Sequence, residues 1–304
     1  MKAFHSMRMR YPALIAVLLF SALSLQALTI SSCTPTFIAS VPGGIYNVTA
    51  NLSGPVSGPC IKVTKPNIAI NLNSFTLSGA GGTTVGIYIS AAATGVQILG
   101  PGKIKGFATG IEDLGSSASL NDLTVVHNTQ TGVLMSSVTS STLINSYILQ
   151  NRANGVVLTN TSNCRVEASP LIAGNGNGTK GYGIWIKNVG KVAVSNSNLV
   201  YGNFISDANY PGTQVAGIWV GSSNTAPIPG CSAGAPSQEN QILNNQVHFN
   251  TFVGIGLQCG TASHNRVSSN TASSNTYDGA DGTTSCTGDT WSGNAFTTKY
   301  QPCD

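Results

Sequence analysis

The sequence predicts an all-β fold, a single-stranded right-handed parallel β-helix solenoid of about 22–24 residues per coil. Three observations carry this. A glycine followed by a short apolar strand recurs along the chain, as in Gly86-Ile87-Tyr88-Ile89, Gly132-Val133-Leu134-Met135, Gly155-Val156-Val157-Leu158, Gly183-Ile184-Trp185-Ile186, Gly217-Ile218-Trp219-Val220 and Gly254-Ile255-Gly256-Leu257. The first intervals, Gly86 to Gly110 to Gly132 to Gly155, are 24, 22 and 23 residues, and a fixed period in the twenties marks a solenoid. Within each unit, β-branched residues alternate with period two and are broken by Gly, Asn and Ser, so the unit is a coil of short strands rather than a helix pair. The leucine spacing of a leucine-rich repeat is absent.

The first residues are basic (Lys2, Arg8, Arg10), an apolar run spans Ala13 to Leu23, and small residues follow to Ala27. Residues 1–27 therefore read as a secretory signal peptide. The run is shorter than the roughly 20 residues a helix needs to cross a bilayer, and no later stretch approaches that length, so no transmembrane segment is expected. Ile30-Ser31-Ser32-Cys33 also fits the box before a lipid-modified cysteine, which makes lipoprotein anchoring at Cys33 the minor alternative. A Cys33–Cys60 disulfide competes with it. The remaining chain divides into an N-terminal cap segment over 28–60, the coils over 61–275 and a disulfide-bearing C-terminal cap over 276–304.

Seven cysteines in an exported chain imply disulfides and one thiol left over. Sequence proximity pairs Cys33 with Cys60, Cys231 with Cys259 and Cys286 with Cys303, and leaves Cys164 as a small buried side chain. Charged residues are only 8% of the chain, so amides and hydroxyls keep its surface wet. Of 14 basic residues three lie in the leader, leaving 11 against 10 acids, and the net charge selects no partner. The distribution is uneven. Arg152, Arg165, Lys180, Lys187 and Lys191 form a basic belt with Glu167 as its one acid, whereas six acids and two bases lie between Asp207 and Asp304. That belt hints at an anionic ligand along the middle of the chain.

Period two sends Ile87, Ile111, Val133, Val156, Ile184, Ile218 and Ile255 inward as one column, and Ile89, Met135, Leu158, Ile186, Val220 and Leu257 as the next. Asp113 breaks the second column. Either a bulge lets Leu114 take its place, the expected solution, or a carboxylate is buried with a raised pKa. An asparagine stands four residues before the repeat glycine at Asn128, Asn151 and Asn250, with Asn175 and Asn203 in comparable places. These amides are expected to stack as a ladder and to take left-handed backbone geometry at the turn.

With these rungs, the chain resembles the right-handed parallel β-helix repeat proteins of bacteria, within the broad pectate-lyase-like superfamily. The resemblance rests on the glycine-headed strands, on the segment from Cys33 through Pro42-Gly43 and Tyr46 to Cys60, on Asn71-Leu72-Asn73 ending at Ser78-Gly79, and on Cys286, Trp291, Asn294, Phe296 and Cys303 near the end. Members commonly carry an Asp where this chain has Asn71, which weakens any role borrowed from that carboxylate. The resemblance implies a bacterial protein that is secreted, periplasmic or at the cell surface. It leaves the activity open, since the superfamily holds lyases, hydrolases, epimerases, tailspikes and adhesins.

Later intervals lengthen, and the extra residues leave the solenoid as loops near 176–182, 204–216 and 222–239, a common way to build a binding face. The outward position of the repeat strand reads Tyr88, Glu112, Leu134, Val157, Trp185, Trp219 and Gly256. Trp185 and Trp219 would stack as an exposed platform for sugar rings, with Lys187 one outward step away and Tyr182, Lys180 and Tyr210 on the neighbouring loops. The expected partner is an extracellular, anionic polysaccharide. The alternative is a structural or adhesive surface protein.

Catalysis is left unassigned. Hydrolysis needs two carboxyls about 5–10 Å apart, and no Asp-Asp or Asp-x-Asp pair occurs in the coils, so a polysaccharide lyase fits better than a glycoside hydrolase. Arg165, Lys187 or Lys191 would be its base. No cofactor is expected. Asp278, Asp281 and Asp289 offer at most a weak Ca²⁺ site, and His127, His248 and His264 lack transition-metal spacing. No nucleic-acid module is present, and the oligomeric state is left open.

Overall fold

The interruptions by Gly, Asn and Ser are where the chain turns, and each coil is bounded by three such corners. In the computed structural model, which describes residues 27–80, 82, 84–189, 195–221, 237–258, 262–282 and 288–300, one coil runs through Thr131–Ser136 on a first face, Thr142–Ile144 on a second and Tyr147–Leu149 on a third. The next coil repeats this as Asn154–Thr159, Arg165–Glu167 and Leu171–Ala173. Pairing is parallel and in register on all three faces, with Val133 on Val156, Leu143 on Val166 and Ile148 on Ile172. Among the described residues the first face gathers 11 strands, from Phe37–Ala39 to Lys299–Tyr300, and the second and third faces merge into a 19-stranded sheet. They merge because Gln97–Lys105 and Ser119–Val126 run through the intervening corner without a break. Leu28–Ile30 pairs with Ile45–Val48, and Thr290–Ser292 with Arg266–Ser268, so strands of both terminal segments join the sheets. The expected leader and the Cys231–Cys259 and Cys286–Cys303 pairs lie outside the described residues.

Both inward columns are buried as the alternation predicts, from Ile87 to Ile255 and from Ile89 to Leu257. Each such Val, Ile or Leu removed from water contributes about 1.5–3 kcal/mol. The repeat glycines serve this stacking. A Cβ on Gly132 would lie 2.7 Å from the carbonyl oxygen of Gly155, and one on Gly155 would lie 2.5 Å from that of Gly183. Clearance to the next coil, rather than a left-handed backbone, demands glycine here.

Asp113 corrects the expectation of a bulge. It pairs in register with Ile89 and Met135 and is fully buried in the interior column. Its Oδ1 accepts the Gly115 N–H at 2.9 Å, whereas its Oδ2 has no partner. Burial pushes its pKa up to about 6, against the opposing hydrogen bonds from Ser141 and Gly115.

Amide ladders run along all three corners. Between the first and second faces, Asn198 N and Nδ2 both donate to Asn240 Oδ1, Asn240 donates likewise to Asn265, and Asn265 to Asp289. Between the second and third faces the series is Asn203, Asn245, Asn270 and Asn294. Asn203 therefore belongs to this ladder and not to the one that starts at Asn128. That third ladder links Asn128, Asn151 and Asn175, passes through Gln214 and continues to Asn250 and Asn275. The left-handed residue is also not the ladder asparagine but the one before it, as at Gln150 (φ 52°), Asn244 (φ 56°) and Glu239 (φ 55°).

A carboxylate accepts but cannot donate, so an aspartate ends a ladder. Asp289 Oδ1 takes Asn265, and Asp278 Oδ1 takes Asn275 while its Oδ2 takes the N–H groups of Thr297 and Thr298. Asp281 Oδ2 accepts the Trp291 indole N–H at 2.8 Å. These are the three carboxylates offered for Ca²⁺, and no grouping able to hold a metal ion occurs among the described residues. Cys33 and Cys60 form the expected disulfide, which occupies the thiol that lipid attachment would need. Cys164 is free and buried, and burial raises its thiol pKa to about 11.

Candidate functional site

Trp185 pairs with Trp219 on adjacent strands of the first face, as the spacing predicts, yet neither indole meets solvent. Trp185 is 4% exposed, Trp219 2% and Tyr182 3%. With Val157, Ala216, Val253 and Ala280 they form a second apolar cluster on the outer side of the sheet. Tyr182 stacks on Trp219 with ring centroids 6.2 Å apart and planes 10° from parallel, and Trp185 Nε1 donates to the Gly221 carbonyl at 2.8 Å. Gly256 on the next coil leaves space for the Trp219 ring, since a Cβ there would lie 2.3 Å from it. Lys187 Nζ sits 4.1 Å from the centroid of the Trp185 ring, and burial lowers its pKa. The exposed indole platform is thus corrected. Tyr182, Trp185 and Trp219 pack against one another, and Lys187 covers an indole instead of reaching toward a ligand.

The basic belt does not gather in one place either. Arg165 pairs with Glu167 at 2.5 Å on the second face, and Lys191 lies outside the described residues. Arg152 and Lys180 stand at the corner between the third and first faces, both exposed.

Two of the lengthened turns converge at that corner. The loop after Phe204–Ser206 is stapled by Asp207, a buried residue whose Oδ1 accepts the Gly174 N–H at 2.9 Å and whose Oδ2 accepts those of Thr213 and Gln214 at 3.0 and 2.8 Å. Burial raises the Asp207 pKa, and these hydrogen bonds oppose the rise. The 176–182 loop is tied to it by Gly178 N–H donating to the Thr213 carbonyl at 3.0 Å. At the tip of that loop Asn177 Oδ1 accepts the backbone N–H of Lys180. The Tyr210 ring lies against Gly174, where a Cβ would come within 2.9 Å of it.

The loop leaves a groove of about 370 Å³ against the coils, lined by His127, Thr129, Gln150, Arg152, Gly174 and Tyr210. His127 and Gln150 stand at equivalent left-handed positions of adjacent coils (φ 55° and 52°), and His127 Nε2 meets Gln150 Oε1 at 2.6 Å. No carboxylate lines this groove, and Arg152 has no ion-pair partner among the described residues. On the far side of the loop a second groove, about 470 Å³, is lined by Asp207, Pro211, Phe249, Thr251 and Thr276. Of the six ligand-binding candidates read from the sequence, Tyr210 lines the first groove and Lys180 stands on a loop beside it. The sequence reading counted Arg152 only as one cation of the basic belt, and it missed His127 and Gln150. Their shared place in the coil was visible as a 23-residue spacing between His127 and Gln150.

Glu112 lies on the outer row of the first face between Tyr88 and Leu134. Burial raises its pKa, and no acid stands opposite it in register. Asp113 is sealed in the interior, out of reach of any substrate.

The family model for the right-handed β helix region matches residues 85–233. No curated protein matches the sequence at a significant level. Among solved structures, the A-module of the mannuronan C-5 epimerase AlgE6 of Azotobacter vinelandii is similar at a TM-score of 0.53 and 18% identity, covering 90% of this chain and 82% of the module. The Dettilon tailspike protein is similar at a TM-score of 0.45 and 16% identity over 90% of this chain, which spans 60% of the tailspike's length. At these identities the likeness is one of fold. The stacked coils and the family match agree on the fold, a right-handed parallel β-helix.

Proposed function

We propose that the protein is exported and binds an extracellular polysaccharide with anionic units, in the groove between the His127–Gln150–Arg152 corner and the loop bearing Tyr210. One observation carries this reading: Asp207 staples the loop so that Tyr210 and Arg152, which has no ion-pair partner among the described residues, line one groove, and no carboxylate of the described residues lines it. An aromatic ring suits the apolar face of a sugar, and a guanidinium suits its carboxylate or sulfate. Lys180 adds a second cation near the rim. A mannuronan-modifying module with the same fold supports a polyuronate as ligand class. Export is supported by the Cys33–Cys60 disulfide, a bond typical of oxidising compartments.

Binding is tested by titrating mannuronan, polygalacturonate and a sulfated glycan. Arg152→Ala and Tyr210→Ala should each weaken the best ligand about tenfold, a loss of ~1.4 kcal/mol, and added salt should weaken it further. A wild-type protein that binds none of them, or variants that bind unchanged, would sink the proposal. His127 is the base nearest such a ligand. If wild type generates unsaturated uronate ends and His127→Ala does not, the groove is also a lyase site.

A further inference from the structure

The third face carries an exposed aromatic row that the groove does not use. Thr124 pairs with Tyr147 and Tyr147 with Leu171, while Ile172 on Ile205 sets Phe204 above Leu171, and Phe204 pairs with Gln246. All of these side chains occupy the outward position. Tyr147 is 43% exposed and Phe204 37%, with Leu171 half-buried between them. Phe204 is braced by the His248 ring, centroids 5.9 Å apart, and His248 Nδ1 is in turn held by Ser273 Oγ at 2.8 Å. The Phe204 ring is therefore held in place before any ligand arrives.

We infer that this row is a second binding track, for the uncharged pyranose rings of a polysaccharide lying parallel to the solenoid axis. Successive coils are about 4.8 Å apart, so Tyr147 and Phe204 are separated by roughly 10 Å. Two consecutive sugar units of an extended chain cover a similar length, which lets one unit rest on each ring with Leu171 beneath the linkage. The row itself carries no charge, and it is flanked by Thr124 and Gln246, side chains that hydrogen-bond sugar hydroxyls. A second copy of the protein fits less well. The exposed parts of these three side chains amount to on the order of 200 Å², against about 800 Å² per partner in a stable protein interface. A narrow, linear and uncharged occupant matches the row better than another protein surface does.

This track uses different residues from the anionic groove, so the two readings stand or fall separately. Cellohexaose, β-1,4-mannohexaose and xylohexaose should be titrated into the full protein by calorimetry, with sedimentation velocity run in parallel. At least one hexaose is expected to bind. Tyr147→Ala and Phe204→Ala should each weaken it about tenfold, Tyr147→Phe should retain it within about twofold, and Arg152→Ala should leave it unchanged. The retained Tyr147→Phe binding and unchanged thermal midpoints separate a lost ring from a damaged fold. The inference is overturned if no hexaose binds, if both alanine variants bind as wild type does, or if wild type forms a dimer that Tyr147→Ala and Phe204→Ala abolish.

Discussion

Asp113 occupies a slot that the coils below and above fill with Ile89 and Met135, and its second carboxylate oxygen has no partner. Its folded pKa of about 6 stands above the 3.8 of a free aspartate. Between those values the native state holds a proton that the unfolded chain has released, so stability falls as pH rises through this window and levels off above it. A shift of that size corresponds to on the order of 3 kcal/mol. Asp113→Asn keeps the acceptor for Gly115 N–H and cannot ionise. Its thermal midpoint should match wild type near pH 4 and exceed it near pH 8, and a difference independent of pH would refute the buried-carboxylate account. The sequence reading placed Asp113 at the interior column but expected the backbone to yield by a bulge, and it does not, because period two says nothing of how a misfit side chain is accommodated. The same limit applies to Trp185 and Trp219: period two tells which side of a sheet a residue takes, not whether something covers that side. Tyr182 stacking on Trp219 depends on where a lengthened turn returns, and no local pattern encodes that.

The corners are the elements whose hydrogen bonds are most exacting. Asn245 Oδ1 accepts the buried N–H of Asn203, and its Nδ2 donates to the Val200 carbonyl and to Asn270. Asn245→Ala would leave those groups unpaired at a cost of on the order of 3 kcal/mol, readable by denaturant titration. Loss below about 1 kcal/mol would mean that water replaces the amide. The ladder through Asn128, Asn151 and Asn250 was legible because its spacing from the repeat glycine is constant. Asn203 was misplaced for the same reason: the inserted 204–216 loop breaks the count, and Gln214, a different residue type, fills the vacated position. The groove was half legible. Inserted turns announced Tyr210 and Lys180, and the basic belt announced Arg152, whereas His127 and Gln150 belong to ordinary coils and carry no mark of a binding role.

Across the whole molecule, one clearance recurs. The repeat glycines stack so closely that a methyl group on any of them meets the carbonyl oxygen of the next coil, at 2.5 Å for Gly155 and 2.6 Å for Gly183. Gly155→Ala should therefore separate two coils mid-stack and lower stability by several kcal/mol, well beyond the ~1 kcal/mol lost to an ordinary glycine substitution. A fall in thermal midpoint with normal secondary structure at low temperature would confirm it, and an unchanged midpoint would show that the coils can move apart. The architecture could be read from sequence because the glycine period counts the residues of each coil and the apolar alternation marks which side chains turn inward.

Gln214 has a further consequence. Its side chain is one methylene longer than asparagine, and it still bridges Asn175 below to Asn250 above after a long excursion of the chain. Decoration of this scaffold thus follows a rule of reach: the backbone leaving the column can return slightly displaced, provided the first residue back has an arm long enough to close the gap. A designer grafting a new recognition loop at Asn128 or Asn151 would replace the returning asparagine by glutamine first, and only then choose the loop.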